Sequence, residues 1–290
     1  MSALPFKQVD VFTQKPFWGN PVAVVIGANA LDTSAMQRIA TWTNLTETTF
    51  VLPQSLSMAD YRLRIFAPKQ ELPFAGHPTI GSAHAVLESG FASACDGELR
   101  QECLAGIIEI SIEKTQTGER IFVHAPDARI NDLNQDDAAR LAAALGTPVI
   151  LKSPLRVDVG VVWIVADLAD CGTVADLQPK LQGIAELSAA HQAAGVTVFG
   201  EATDGLSSLQ LRSFAPALGV VEDPVCGSGN AAVAAFLIHR GMMGKYGSHY
   251  VARQGMQVGR DGQVAISTDG RKIRVGGYAV TCVEGTLRID

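Results

Sequence analysis

The sequence predicts an α+β fold of two pseudo-symmetric lobes, each a curved or closed β-sheet around a central helix. Three observations carry this. The element Leu63-Arg64-Ile65-Phe66-Ala67-Pro68 returns 148 positions later as Leu211-Arg212-Ser213-Phe214-Ala215-Pro216, with five of six residues unchanged. Each half holds one Ala-rich helix whose small residues suggest close packing on all sides, as expected of a buried helix. Strand-like segments both precede and follow that helix in each half, which suits a sheet that wraps it.

The elements follow in order. Residues 9–12 and 22–26 read as the opening strands of the first lobe, and 157–159 and 161–165 as their counterparts. Val9-Asp10-Val11 and Val157-Asp158-Val159 keep the same spacing of 148. A helix follows in each lobe, at 34–42 and at 180–194. The repeated element is a strand ended by Pro68 or Pro216, because proline has no N–H for a ladder. A small indel then moves the offset to 151, laying Pro73-Phe74-Ala75-Gly76-His77 over Pro224-Val225-Cys226-Gly227-Ser228, and Gly90 over Gly241. These segments open and close the central helices, at about 78–89 and 229–240. Later strands are expected at 107–112 and 121–123, then at 264–266 and 275–280. The polar stretch 131–137, ahead of a helix at 138–145, divides the lobes into 1–130 and 131–285. The final segment, 286–290, has no counterpart in the first copy and is expected to return to the first lobe.

Composition narrows the function classes. Hydrophobic residues make up 47% and charged residues 18% of the chain, so a sizeable core is expected and wholesale disorder is not. A net charge of −6 with no Lys/Arg run argues against a nucleic-acid partner. No apolar run approaches the roughly 20 residues of a membrane span, and no basic segment leads an apolar one near Met1. Neither a membrane nor a secretory leader is therefore expected. The five cysteines are odd in number and include no C-x-x-C pair. That disfavours a disulfide framework or a zinc knuckle and makes the cytoplasm the expected location.

The chemistry is expected where the two copies meet. Gly76 and Gly227 stand at the two helix starts, where backbone N–H groups and the helix dipole favour an anion. A small carboxylate is the simplest such partner; tight turns without a ligand are the competing reading. Gly227-Ser228-Gly229-Asn230-Ala231-Ala232 also fits a G-x-G-x-x-A pattern. Its context is wrong for a dinucleotide: it comes late, and Tyr250, Val251 and Arg253 stand where an acidic strand end is needed. No cofactor is expected.

Glu47 lies in a largely uncharged stretch, 42–53, among threonines that can hydrogen-bond it. A carboxyl shielded from water has a raised pKa, which suits a base that later acts as an acid. The position 148 residues on is Gly195, so the duplication carries this carboxylate once. The competing reading is a solvated glutamate at a strand edge. His77 and Asp223 each have a structural alternative, a packed histidine and a capping carboxylate. Ser228 has the alternative of an N-cap. His84 is a poor metal partner for His77 at a spacing of seven, and no metal is expected.

Gly19-Asn20-Pro21, Asn44-Leu45-Thr46-Glu47-Thr48, Phe74-Ala75-Gly76-His77-Pro78-Thr79 and Glu222-Asp223-Pro224-Val225-Cys226-Gly227-Ser228 occur in this order. In that combination the sequence resembles the PhzF family of phenazine biosynthesis, within the diaminopimelate-epimerase-like fold, over essentially its whole length. The resemblance implies two lobes, no cofactor and, as often in the family, a homodimer. It implies an isomerase that moves a proton between carbons, as in the isomerisation of a dihydro-hydroxyanthranilate. It gives Glu47 the role of the base that returns the proton. It pairs His77 with Asp223 across the cleft, His77 as a substrate-contacting hydrogen bonder able to donate a proton. Ser228 matches a substrate-contacting serine, and Glu222 is expected to be a solvated or structural neighbour.

Cys226 departs from the pattern, since PhzF-like members usually carry threonine there. Racemases of the fold use two cysteines, one per helix start, and here the partner position is Ala75. Cys226 is then either a reactive thiol, its pKa lowered by the helix start, or a buried inert one. Three functions follow in order. The first is an isomerase of a small cyclic or unsaturated carboxylate using Glu47. The second is a racemase or epimerase using Cys226 opposite Glu47 or Asp223. The third is a non-catalytic binder of small carboxylates on an enzyme fold.

Overall fold

The computed structural model describes residues 3–148 and 152–289. They fall into two compact units: residues up to His124 together with those from Gly276, and Ala125–Val275. Each is an α+β unit built on one mixed sheet and one enclosed helix. Asp290, the last residue of the segment expected to return, lies outside the described residues.

In the first unit Ala3–Val11 pairs antiparallel with both Asn20–Ile26 and Ala279–Arg288. Asn20–Ile26 then pairs parallel with Thr48–Leu52, through the crossover helix Thr33–Thr43. Thr48–Leu52 runs antiparallel to Tyr61–Ala67, the strand of the repeated element, which ends just before Pro68. Tyr61–Ala67 pairs antiparallel with Gln70–Leu72 and parallel with Glu98–Cys103, and Gly106–Thr115 and Gly118–His124 complete the run as an antiparallel meander. The helix Gly76–Ser89 packs on Ala3–Val11, Asn20–Ile26, Thr48–Leu52, Gly118–His124 and Ala279–Arg288. One helix can touch strands from both ends of a sheet only if the sheet curves around it.

The second unit repeats this order of pairings. Leu155–Asp158 and Val162–Asp170 are antiparallel, Val162–Asp170 and Gly195–Glu201 parallel, and Gly195–Glu201 and Leu209–Ala215 antiparallel. Leu209–Ala215 then pairs antiparallel with Val220–Asp223 and parallel with His249–Gln254, which is antiparallel to Gly262–Asp269. The enclosed helix is Gly227–His239, buried at nine consecutive positions from Gly229 to Leu237. Such a helix has no solvent face, which is why its sequence shows no polar stripe. Gly90 and Gly241 each follow a central helix with φ near +70°, the left-handed exit that glycine adopts without penalty.

The duplication extends to side chains. Arg64 grips Glu71 through two hydrogen bonds of 2.7 Å and stacks over Phe66. Arg212 grips Glu222 at 3.0 and 2.8 Å and stacks over Phe214. Glu222 is therefore a structural acid with a buried partner rather than a solvated one.

Several boundaries shift for local reasons. The crossover helix of the second unit is Leu181–Ala190, shorter than expected. Gln192 turns the chain with φ 51°, and Ala194 N already donates to Val162 O as the next strand begins. The stretch 275–280 is two strands, Lys272–Gly277 and Ala279–Arg288, and the division between units falls inside it. The polar stretch 131–137 is built into the second unit: Asn131 and Asp132 pair with Arg156 and Leu155, and Asn134 caps the helix Gln135–Leu145. No helix among the described residues is long and apolar enough to cross a membrane.

Candidate active site

The first group of site residues belongs to the first unit. The helix Thr33–Thr43 ends at Asn44, in the left-handed conformation with φ 54°. Thr43 Oγ1 and Thr48 Oγ1 meet at 2.6 Å across the turn, and this staple holds residues 44–47 at the mouth of the strand Thr48–Leu52. Glu47 sits on that turn. Its side chain is 16% exposed, and its Oε2 atom is shut off from solvent. Burial raises the Glu47 carboxyl from the ordinary carboxylate range to about 7, opposed in part by a hydrogen bond with the Thr46 side chain. Glu47 Oε2 lies 3.4 Å from His77 Nε2. His77 is buried in the first turn of the helix Gly76–Ser89, whose N-cap, Ala75, offers no capping side chain. Sequence placed these residues 30 apart; the fold brings them together.

The second group belongs to the second unit. Asp223 closes the strand Val220–Asp223, and its Oδ1 accepts from Val225 N at 3.1 Å. That is a turn contact rather than a helix cap. The N-cap of Gly227–His239 is Cys226, whose Sγ accepts from Gly229 N at 3.2 Å; Ser228 is therefore not the cap. Cys226 N donates to Gln254 Oε1 at 3.2 Å, and Gln254 Nε2 donates to Asp223 O at 2.9 Å. Gln254 thus holds both sides of the turn. Ser228 Oγ lies 3.6 Å from Cys226 Sγ and accepts from Trp163 Nε1 at 3.0 Å.

Cys226 takes the second of its two expected forms, a buried thiol. A helix start alone lowers a thiol pKa, but burial, with the Asp223 charge beside it, pushes the Cys226 thiol well above its ordinary value. Desolvation of the thiolate outweighs the hydrogen bonds from Ser228 and Gly229 that favour it, so the thiol keeps its proton near pH 7.

Three supporting residues escaped the sequence reading. Thr46 is, in sequence, one threonine among several around Glu47. Gln254 and Trp163 stand 28 and 65 residues from the groups they hold, and neither lies in a readable motif. Gly195 is, in sequence, only the counterpart of Glu47. A Cβ there would meet Phe214 O at 2.0 Å and the Trp163 ring at 2.9 Å, so the second unit has no room for a side chain at that place.

The sequence profile of the family described as phenazine biosynthesis-like protein matches residues 9–285. The chain belongs to that family. It is 40% identical to "Antisense-enhancing sequence 1" of Schizosaccharomyces pombe, over 98% of this chain and 99% of that one. It is 32% identical to a trans-2,3-dihydro-3-hydroxyanthranilate isomerase of Pseudomonas chlororaphis, over 96% and 97%. The crystal structure of a Bacillus anthracis PhzF-family protein superposes with a TM-score of 0.86, covering 100% of both chains at 26% identity. The protein is a PhzF-like isomerase with the α+β, diaminopimelate-epimerase-like fold.

Proposed function

We propose that this PhzF-family protein is a cofactor-independent isomerase that moves a proton on a small cyclic or unsaturated carboxylate. The observation that carries this is Glu47: a carboxyl raised to about 7 by burial, with an imidazole nitrogen 3.4 Å away. Such a group is a competent base and a competent acid at the same pH. Glu47 takes a proton from an activated C–H and becomes a carboxylic acid. The electron pair passes into the conjugated system, and Glu47, its proton exchanged with solvent, delivers a proton to another carbon. No oxidant or second substrate is needed for the balance.

His77 is the hydrogen-bonding partner beside the reacting group. Asp223 acts with it on the same substrate, and Gly76, Gly227, Ser228 and Cys226 bind the substrate carboxylate and its neighbours. The relative named for isomerising a dihydro-hydroxyanthranilate supports a substrate of that chemistry. No observation favours the racemase reading: Ala75 replaces one thiol, and Cys226 holds its proton.

The test is turnover of trans-2,3-dihydro-3-hydroxyanthranilate and a panel of unsaturated ring carboxylates in D2O, followed by NMR. Isomerisation with deuterium entering at one carbon, lost in Glu47→Gln, is the expected result. Inversion at a single carbon, or exchange that survives Glu47→Gln, would overturn the proposal.

A further inference from the structure

We propose that Trp163 is a positioning residue: its indole N–H fixes the polarity of the Ser228 hydroxyl, so that the one serine proton is directed at an anionic substrate oxygen. The inference rests on the reading that the protein binds a small carboxylate, and it adds how that charge is selected.

The geometry is local to the second unit. Trp163 is 3% exposed, and its Nε1 donates to Ser228 Oγ at 3.0 Å. An indole nitrogen is a donor only, whereas a hydroxyl has one proton and two lone pairs. The bond with Trp163 can therefore run one way, and it uses a lone pair of Ser228. The serine proton is left for some other group. Its neighbour within the protein is Cys226 Sγ at 3.6 Å, a loose and weak acceptor. An oxyanion within ordinary hydrogen-bond distance would take that proton in preference, with charge assistance. A ligand N–H aimed at the same place would meet a proton instead of a lone pair.

The two units differ at the matching place. Ala23 pairs with Thr48 in the first parallel strand pair, and Ile164 with Val196 in the second. One residue earlier along each strand, the first unit has Val22 and Glu47, and the second has Trp163 and Gly195. Trp163 and Gly195 are themselves a pair in the parallel ladder. The indole ring lies 2.9 Å from where a Gly195 Cβ would stand. The unit without a side chain at this position thus holds a rigid donor beside it.

The test uses anthranilate and anthranilamide as matched probes, one presenting a carboxylate and the other an amide. Only Trp18, Trp42 and Trp163 give indole N–H signals, and the first two are exposed. In 15N-labelled protein, the buried indole resonance, assigned by its loss in Trp163→Phe, should shift in Ser228→Ala without any ligand. Wild type should prefer anthranilate to anthranilamide. Trp163→Phe should cut that preference about threefold to tenfold, the scale of one ordinary hydrogen bond. Ser228→Ala should cut it comparably, and the double variant no further. A merely structural role would weaken both probes alike. An indole signal indifferent to Ser228→Ala, or a preference unchanged in Trp163→Phe, would overturn the proposal while leaving the carboxylate reading intact. Wild type that binds anthranilamide as well as anthranilate would overturn both. Should Trp163→Phe not fold, the Ser228→Ala signal and preference decide alone.

Discussion

At the scale of the residue, Glu47 is a carboxyl whose use requires it to be costly. Its oxygen is removed from water, and the folded protein therefore favours the protonated form. If the deprotonated form is the base, kcat/KM should rise with pH and level off above about 7. A profile flat between pH 5 and 8 would remove Glu47 from that role. Glu47→Gln should lower kcat on the order of 10²–10⁴. The same shift has a stability consequence. The folded pKa of about 7 exceeds the ordinary 4.5, so the native state holds more protons than the unfolded one in that window. The stability this supplies is complete below about 4.5 and is lost as pH rises through 7. Glutamine carries no such penalty. Glu47→Gln should thus gain stability over wild type by roughly 2–4 kcal/mol between pH 4 and 8. Paired denaturant titrations at the two pH values check the sign.

Cys226 makes the complementary point: a helix start does not produce a reactive thiol when burial opposes it. With intact protein at pH 8, Ellman's reagent should modify exposed Cys95 first and Cys226 last. Cys226→Thr should keep most activity, and Cys226→Ala should cost less than Glu47→Gln. A dead Cys226→Thr that folds and binds ligand would instead assign the sulfur a chemical part.

At the scale of the element, the twin ion pairs pin the ends of the repeated strands. Arg212 and Glu222 are 7% and 6% exposed in their side chains, and Arg64 and Glu71 are 15% and 19% exposed. Removing one partner of a buried pair strands the other charge, at about 3–5 kcal/mol. Glu222→Gln should therefore destabilise more than Glu71→Gln. Equal unfolding midpoints for the two variants would show that burial does not set the cost. Gly195 is the second element-scale constraint, since a methyl group there would overlap Phe214 O. Gly195→Ala should destabilise the second unit by at least about 2 kcal/mol. For the same reason no second base can be built at that place.

At the scale of the whole molecule, the proposal gives one reaction to residues drawn from two units. If His77 and Asp223 serve one step, His77→Ala and Asp223→Asn should each lower kcat strongly, and the double variant little further. Fully additive losses in a double-mutant cycle would show that they act separately.

Much of this was written in neighbouring letters. The repeated strand ending at Pro68 and Pro216, the glycine exits at Gly90 and Gly241 and the two glycine-opened helices rest on turn chemistry and periodicity, which act over a few residues. By itself, then, the sequence determined a duplicated α+β chain, its enclosed helices, and Glu47, His77, Asp223, Cys226 and Ser228 as the groups to examine. The tertiary structure decided which of them touch and in what protonation state. Glu47 meets His77, Trp163 holds Ser228 from 65 residues away, and Cys226 keeps its proton because its surroundings exclude water. Hydrogen-bond partners and desolvation depend on what the whole chain packs around an atom, and no short stretch of sequence contains that.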